Sequence, residues 1–491
     1  MTDDPDDRRS FASVAAESVV VVLAGAAAVA GSYAAVGRVP AFVGAPVSQF
    51  VVAITPDSVV GWSIQNLGDL GHQLGFLLAL VLTAGAFALV VAAASLSADR
   101  AGSPRSLVVA LGCIALALAL TGAPSSALAA GLGAGVVVAV SRLDLPAGEQ
   151  VSGGRRRVLQ AVVGAVAVGG VSAALGRQRD DAGPPAAGPI SEDVSALLAD
   201  AESKSLDVAG IEGLVSEEFY RVDINNVDPS VAAEDWTLDL TGAVDEERTF
   251  DYADVTGLPA EHRFVTLRCV GEGLNGKKMD TALWTGVPLM DLLDDSALPD
   301  ECCVMLRAAD DYFEEFPLAA LENAFLAYEM NGEPLPRAHG HPVRALIPGH
   351  WGEINVKWLT EIEVLEAEEK GYWERRGWHG TGPVNTVAKL HAVNELGDGR
   401  VQVGGHAYAG TRGIDRVEVS VDGGGTWTEA TLSDPLPGED VWRQWEHTYE
   451  ATDGHEVVVR ATDGDGNLQE KEQRSPKPSG ATGWVSKNVD P

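Results

Sequence analysis

The hydrophobic residues of this chain are concentrated in its first third. Five apolar runs with almost no charged side chains lie at about residues 15–36, 72–95, 106–122, 126–141 and 158–176. Most of them reach the ~17–25 residues that a helix needs to cross a bilayer. So many charge-free runs in succession disfavour the alternative of buried helices in a soluble domain. The pattern predicts a transmembrane α-helical bundle of about five helices over residues 1–178, with residues 41–70 as an outer loop.

Basic residues mark one side of this predicted bundle. They are Arg8 and Arg9, Arg100 and Arg105, Arg142, and Arg155 to Arg157. On an alternating path all of these positions fall on the same side, which the positive-inside rule makes cytoplasmic. The fifth run then carries residues 180–491 outside. We therefore expect a multi-pass protein of the cell membrane with its folded domains on the extracytoplasmic side.

The start of the fifth run has two interpretations. Residues 154–160, GRRRVLQ, precede an apolar stretch and resemble a twin-arginine export signal, although Gly154 stands where Ser or Thr is usual. Alternatively, the same arginines only anchor the helix on the cytoplasmic side. The sequence does not favour either interpretation.

The pattern changes after the apolar third. Residues 179–190 form a linker rich in Pro, Gly and Ala. Residues 191–382 mix strand patterns with short helical ones, which predicts an α+β domain. Residues 383–491 alternate polar and apolar positions between closely spaced turn signals, as in VQVGGHAYAG and RVEVSVDGGGTW. This last pattern predicts an immunoglobulin-like β-sandwich.

The outer region is strongly acidic. The chain has 70 Asp and Glu residues against 35 Lys and Arg residues, a formal net charge of −35. A nucleic-acid-binding protein needs a basic surface, so this class is excluded. The acidic residues are spread over residues 191–491 and form no single block. We interpret them as a solvated surface that suits high salt, and expect a halophilic source.

Cysteine is scarce, and the chain has no CxxC pair. The four cysteines are Cys113, Cys269, Cys302 and Cys303. Zinc ribbons and ferredoxin-type clusters therefore lack their ligands. Cys302 and Cys303 lie in an apolar, strand-like run, and we expect core residues without a disulfide between them.

Cys269 has the most informative surroundings. The string HRFVTLRCVGEGLNG predicts a strand that ends at Cys269 and leads into a glycine-rich loop. Glycines let the backbone approach a bulky ligand closely, and thiolates favour soft metals. Taken alone, the stretch favours a small buried hydrophobic residue over a metal ligand.

Longer motifs elsewhere in the chain favour metal binding by Cys269. Residues 326–364, LAYEMNGEPLPRAHGHPVRALIPGHWGEINVKWLTEIEV, are followed by GYWERRGW at 371–378 and by AGTRGIDRVEVSVDGGGTW at 409–427. With these motifs in this order, residues 219–491 resemble the sulfite oxidase family of molybdopterin enzymes, without its cytochrome b5 domain. The resemblance implies a Mo-molybdopterin cofactor, Cys269 as the metal ligand, and a C-terminal domain through which two copies could form a homodimer.

The resemblance also implies a set of site residues. Arg221 and Arg412 would bind an oxyanion such as sulfite, because guanidinium groups match its charge and oxygens. Tyr328 would be a hydrogen-bond donor and proton relay, although it could instead be a core tyrosine. Because Arg412 belongs to the last domain, the site would lie where the two outer domains meet. The implied cofactor-binding residues are Val222, Asp223, Ile224, Asn225, Asn226, Asp310, His339, Arg344, Asn355, Val356 and Lys357.

The chain departs from the family directly after Cys269. The animal enzymes have Cys-Ala-Gly-Asn-Arg-Arg there, and this chain has Cys269-Val-Gly-Glu272-Gly-Leu274. An arginine pair is thus replaced by a glutamate and apolar residues. Lys277 and Lys278 could restore the positive charge, or they could be solvated loop lysines.

We therefore expect a membrane-anchored molybdenum oxidoreductase that oxidises sulfite. The chain shows no haem motif, so the electrons would pass to a separate extracytoplasmic acceptor, either a copper protein or a cytochrome. One alternative is a reductase of S-oxides such as protein methionine sulfoxide. A second alternative, from another class, is a non-catalytic adhesion or sensor protein on a membrane anchor.

Overall fold

The structure is a computed structural model, and it describes residues 5–67, 69–143, 153–180, 190–293, 302–397 and 399–490. Most of the predicted linker at 179–190 lies outside these ranges. The described residues divide into two units. The first contains the helices up to residue 180 together with Asp223–Ser230, and the second contains the rest.

The first unit is helical. Its helices are α1 (Pro5–Val36), α2 (Ala45–Ile54), α3 (Asp57–Asn66), α4 (Asp69–Ala101), α5 (Arg105–Thr121), α6 (Pro124–Val140) and α7 (Gly153–Asp180). Each of the five predicted apolar runs lies in one of these helices. Helices α2 and α3 fall within residues 41–70, so the prediction of a loop conformation there was wrong. The apolar residues of this segment recur at helical spacing. Pro46 lies in the first turn of α2 and Pro56 directly precedes α3, positions where proline is compatible with a helix start.

Among the described residues, three helices are long and apolar enough to cross a membrane. These candidate spans are Val14–Val36, Leu70–Ala101 and Gly153–Arg179, while α5 and α6 are shorter apolar helices of 17 residues each. Small residues let the helices pack closely: a Cβ on Gly31 of α1 would lie 2.2 Å from the Ala129 carbonyl oxygen of α6. Ser32 and Ser126 add a buried hydroxyl pair 2.8 Å apart.

The second unit begins with α8 (Glu192–Lys204) and continues with strands and short helices. Its strands up to residue 365 are β1 (Thr237–Gly242), β2 (Arg248–Asp251), β3 (Glu261–Arg268), β4 (Met279–Pro288), β5 (Cys303–Ala308), β6 (Phe313–Pro317), β7 (Phe325–Met330), β8 (Glu333–Pro334), β9 (Arg344–Leu346) and β10 (Leu359–Leu365). The helices α9 (Tyr252–Thr256) and α10 (Leu289–Leu293) lie among them. One sheet has the order β2-β1-β10-β5-β6, and the other has β3-β4-β7-β8 with β9 beside β7.

The C-terminal part of this unit is built from strands. They are β11 (Val387–Ala388), β12 (Ala392–Glu395), β13 (Arg400–Tyr408), β14 (Ile414–Ser420), β15 (Thr428–Glu429), β16 (Thr431–Leu432), β17 (Arg443–Glu450), β18 (His455–Asp463) and β19 (Val485–Val489). Two antiparallel sheets, β11-β13-β17-β16 with β12 and β15-β14-β18-β19, share one hydrophobic core around Val403, Trp445 and Val459.

Cys302 and Cys303 differ from the expectation. Cys303 is buried as predicted, but the structure joins the two residues in a disulfide. The prediction treated both as strand residues, whose side chains alternate between the two faces of a sheet. Strand β5 begins only at Cys303, so the sheet does not constrain the exposed Cys302, and its sulfur can turn towards that of its neighbour.

Candidate functional site

Cys269 follows directly after β3, as the sequence predicts. The cysteine loop, residues 269–278, is closed at its base because the Cys269 N–H donates to the Lys278 carbonyl at 2.9 Å. Strands β3 and β4 pair up to Arg268 and Met279, which places the loop at the end of a largely buried hairpin. Burial raises the pKa of the Cys269 thiol to about 11, and Glu272 adds to the rise. A bound metal is what would hold such a thiol as the thiolate.

A tryptophan lies against this loop. A Cβ on Gly271 would lie 3.7 Å from both the Cys269 sulfur and Cη2 of Trp378, an ordinary contact distance, so the sulfur and the indole ring flank the same backbone position. Trp378 is 3 % exposed. Its indole N–H has no hydrogen-bond partner among the described residues. A buried donor of this kind is costly unless a ligand accepts from it.

Glu353 forms a second unsatisfied group, which the sequence did not single out. It is 8 % exposed, and neither carboxylate oxygen has a well-formed hydrogen bond within the described part of the chain. Burial and then the nearby Glu374 raise its pKa to about 8, although the Gly380 amide lowers it somewhat. The negative charge of ionised Glu353 also raises the pKa of Cys269. Gly380 makes room for this side chain, because a Cβ there would lie 2.2 Å from Oε1.

Two more carboxyl groups accompany Glu353. The Tyr312 hydroxyl lies 2.8 Å from the Glu353 main-chain oxygen and 3.0 Å from Oε2 of Glu314. Burial and the neighbouring Glu374 raise the pKa of Glu314 to about 11, so it is protonated at neutral pH. The group is therefore a chain of buried acids rather than a cluster of carboxylates, and the part of the chain that the structure describes has no metal-binding group of three or more His, Cys, Asp or Glu residues.

The motif loop, residues 337–357, contains five of the predicted cofactor residues. Arg344 is buried and donates to the main-chain oxygens of His339 at 3.2 Å and Asn355 at 2.9 Å. Its guanidinium also lies 5.1 Å from the centre of the Trp284 ring. Lys357 donates to the Ala338 oxygen at 3.1 Å. The loop is thus a compact cationic turn that is fixed mainly by its own backbone.

Glycine and asparagine shape this turn. Gly340 has a φ of 111°, and a Cβ there would lie 3.0 Å from that of Arg344 and 3.1 Å from Lys357. The Asn355 side chain accepts from the Ile347 N–H at 2.7 Å and donates to the Trp351 oxygen at 2.9 Å. Val356, also predicted to bind the cofactor, is buried in the main hydrophobic core of this part of the unit.

The segment before Arg221 is held by one carboxylate. Buried Asp280 accepts from the Ser216 hydroxyl at 3.1 Å and from the Tyr220 N–H at 2.6 Å. Tyr220 in turn packs against Gly352, where a Cβ would lie 2.6 Å from its hydroxyl. Arg221 and Val222 are exposed at the end of this segment.

The remaining predicted cofactor residues are dispersed. Asp223, Ile224, Asn225 and Asn226 belong to the helical unit, where the Asn226 amide donates to the Ser48 hydroxyl of α2 at 3.1 Å. Asp310 is buried in the turn after β5 and accepts from the Tyr312 N–H at 3.1 Å.

Tyr328 and Arg412 have structural partners. Tyr328 on β7 belongs to the main core, and its ring lies 6.3 Å from that of Tyr252. Burial raises the pKa of Tyr328. Arg412 pairs with Asp463 at 3.0 Å and donates to the Val384 oxygen at 2.9 Å. The residue before Arg412 packs against Gly349 at the motif loop, which places Arg412 where the C-terminal sheets meet that loop.

Two protein-family models match the chain. Residues 225–373 match the oxidoreductase molybdopterin binding domain, and residues 383–475 match the Mo-co oxidoreductase dimerisation domain. Neither model reaches the apolar helices.

Curated relatives agree with these matches. The chain is 27% identical to the sulfite oxidase of Arabidopsis thaliana over 300 residues, which cover 48% of this chain and 76% of that protein. It is 30% identical to the mitochondrial sulfite oxidase of Homo sapiens over 305 residues, 50% of this chain and 54% of that one. The matched region thus spans about half the length of the animal relatives.

Among solved structures, the chain is similar to the sulfane dehydrogenase SoxCD from Paracoccus pantotrophus. The TM-score is 0.48 at 20% identity, covering 54% of this chain and 78% of that one.

Proposed function

The chain belongs to the sulfite oxidase family of molybdopterin oxidoreductases, and we propose that it oxidises sulfite to sulfate for a separate electron acceptor. The observation that carries this proposal is the placement of Cys269. It leaves a buried hairpin in a glycine-rich loop, and the unpartnered Trp378 N–H lies beside that loop.

The residues present fit the family's cofactor. Cys269 supplies a soft ligand for molybdenum. The motif loop supplies His339, Arg344 and Lys357, the types of group that recognise a pterin phosphate. When bound, Mo-molybdopterin supplies the two-electron chemistry, and the protein supplies position and electrostatic field.

The substrate oxyanion needs positive charge. We propose that Arg221 and Arg412 orient it and that Tyr328 donates a hydrogen bond to it. Asp463 holds Arg412 from behind, and Asp280 fixes the segment that ends at Arg221. Arg412 is thus held directly by a carboxylate, whereas for Arg221 only the preceding backbone is held.

Water and protons complete the reaction. Sulfite and one water give sulfate, two protons and two electrons. The electrons leave one at a time to a copper protein or a cytochrome. We propose that Glu353 accepts a proton from that water in its ionised form, which is the minor form at pH 7 because its pKa is about 8. Its side chain is buried without a well-formed hydrogen bond, and its charge acts on Cys269.

Location and assembly are parts of the same proposal. The three long apolar helices would anchor the protein in the cell membrane, with the other unit outside and Arg155–Arg157 either as an export signal or as a cytoplasmic anchor. The C-terminal sheets would form an immunoglobulin-like sandwich that pairs two copies, since the matched family domain is a dimerisation domain.

A substrate screen tests the proposal. The purified full chain is analysed for molybdenum and assayed with sulfite plus an artificial electron acceptor. It is then assayed with methionine sulfoxide plus a reduced dye. We expect bound molybdenum and faster turnover of sulfite. Faster reduction of the sulfoxide would support the S-oxide reductase instead, and a folded chain without molybdenum would indicate a non-catalytic protein.

A further inference from the structure

The cysteine loop contains a buried carboxylate where the animal enzymes have a different sequence. Glu272 accepts from the Arg268 Nε at 3.0 Å and from the Lys389 Nζ at 2.6 Å through the same oxygen. Its other oxygen accepts the Lys278 N–H at 2.8 Å. All three charged side chains are almost fully buried, with side-chain exposures of 0%, 2% and 0% for Arg268, Glu272 and Lys389.

Lys389 comes from the C-terminal sheets. It follows β11, where its N–H donates to the His406 oxygen at 2.8 Å and its own oxygen accepts from the Trp445 indole at 3.0 Å. Its ammonium group also donates to the Gly276 oxygen of the cysteine loop at 3.0 Å. Lys389 is therefore fixed in the C-terminal core and holds the loop at two points.

Neighbouring groups extend the contact. The Asn275 side chain exchanges two hydrogen bonds of 2.8 Å with the backbone of Leu390. Arg268 donates to the main-chain oxygens of Asn385 and Ala481 at 3.0 and 3.2 Å. The loop is thus docked mainly on residues 385–391. From the motif loop, the Trp351 ring also lies 4.7 Å from the Arg268 guanidinium.

The opposite charges in this network stabilise one another. Burial would raise the pKa of Glu272, but Lys389 and Arg268 lower it below its ordinary value, so the glutamate is ionised. Burial lowers the pKa of Lys389 to about 8, which still leaves it mostly cationic at pH 7. Two cations and one anion leave a net buried charge of about +1, and loss of the anion would leave two unpaired cations side by side.

We propose that the Arg268–Glu272–Lys389 network is the positioning device of the metal-binding cysteine, by which the C-terminal domain holds the Cys269 loop. The proposal rests on the proposed function for the role of Cys269, but the network itself is independent of substrate. It explains why the loop can lose the family's arginine pair: Lys389 supplies a cation from the other domain. The three side chains are positioning residues, since they act through the loop.

Thiol reactivity of the cofactor-free full chain tests this role. In a Cys113→Ala background, Cys269 is the remaining free cysteine. We expect Glu272→Gln to raise its labelling rate roughly tenfold or more. A decade of rate corresponds to about 1.4 kcal/mol, which is less than the loss of a buried charge partner usually costs. Glu418→Gln, which removes the 3.0 Å pair with Arg460 elsewhere in the C-terminal sheets, is the matched control and should leave labelling unchanged.

A double variant separates positioning from general stability. Glu272→Gln with Lys389→Met restores the net buried charge to about +1, so its unfolding midpoint should recover part of the loss seen in Glu272→Gln. Labelling should stay fast, because the loop is still released from residue 389. Labelling that slows in step with the recovered midpoint, or that is unchanged in both variants, would overturn the proposal. Neither result depends on sulfite turnover, so it leaves the proposed function to its own test.

Discussion

The cysteine loop and the motif loop are held in place in different ways. The motif loop is fixed from within, because Arg344 and Lys357 donate to main-chain oxygens of the same twenty residues or so. The cysteine loop is fixed from outside, by Lys389 and Leu390 more than 100 residues away. A site assembled in this way needs both domains to be folded before its metal ligand is in position.

The largest effect is expected at the cysteine loop itself. Cys269→Ser should reduce sulfite turnover more than ~100-fold, because even changes around a metal ligand cost about 10–100-fold. The free energy of unfolding should change by less than about 1 kcal/mol, since Cys269 is only partly buried. Turnover and urea unfolding measure the two quantities. A variant that keeps full activity would show that another residue binds the metal.

The second prediction concerns Arg344, which holds the motif loop together. Arg344→Met removes two charge-assisted hydrogen bonds from a buried position and should cost about 3–5 kcal/mol of folding free energy. Molybdenum content should fall with it. The labelling rate of Cys269 should not change, because the cysteine loop has other anchors. Faster labelling in Arg344→Met would break the distinction between the two loops.

The pH dependence of stability should reveal Glu353. The pKa of Glu353 is raised from 4.5 to about 8. Between pH 4.5 and pH 8 the folded protein therefore keeps a proton on Glu353 that the unfolded chain has released. The stabilisation is therefore complete below about pH 4.5 and is lost as the pH rises through 8. From pH 5 to pH 7 the loss should be about 2–3 kcal/mol.

Glu353→Gln should remove this slope from the unfolding free energy measured by urea, because the amide cannot ionise. The exposed Glu429→Gln serves as control and should keep it. An unchanged slope in Glu353→Gln would assign the dependence to another group, with the nearby Glu314 and Glu374 as the first to examine.

A smaller effect on turnover than that of Cys269→Ser is expected at Arg412. Arg412 is partly exposed, but Asp463 is buried and also accepts from the Asn467 N–H, so Asp463→Asn should cost about 1–3 kcal/mol. Arg412→Met should cost a similar amount but also lower kcat/KM for sulfite about tenfold, since one charged hydrogen bond is worth about 1.5–3 kcal/mol. Equal kinetics in the two variants would make Arg412 a structural residue.

Local patterns account for what the sequence could predict. The strand that ends at Cys269, the glycine-rich loop and the contiguous motif at 326–364 all lie within short windows, and the family matches confirm the cofactor class. The five apolar runs were likewise visible as helices, although in the described part of the chain three helices have the length of a membrane span.

Long-range pairing accounts for what it could not. Lys389 stands between apolar residues in VAKLHAV, and nothing in that string points to Glu272. Lys277 and Lys278 are the nearer cations, and the sequence allowed them either as replacements for the missing arginines or as solvated loop lysines. In the structure, the ammonium group that pairs with Glu272 belongs to Lys389. The buried Glu353 gave no signal either, because its unusual state depends on Gly380, Glu314 and Glu374 folding around it.

The most direct test of the proposed function is to measure how many electrons are delivered for each sulfate formed. The molybdenum-loaded full chain is given a known amount of sulfite and a one-electron acceptor, and sulfate and reduced acceptor are counted together. One sulfate should form for every two electrons delivered. The Cys269→Ser chain should deliver neither. Reduced acceptor without sulfate, or no reaction from a chain that contains molybdenum and reduces methionine sulfoxide, would contradict the assignment of sulfite as the substrate.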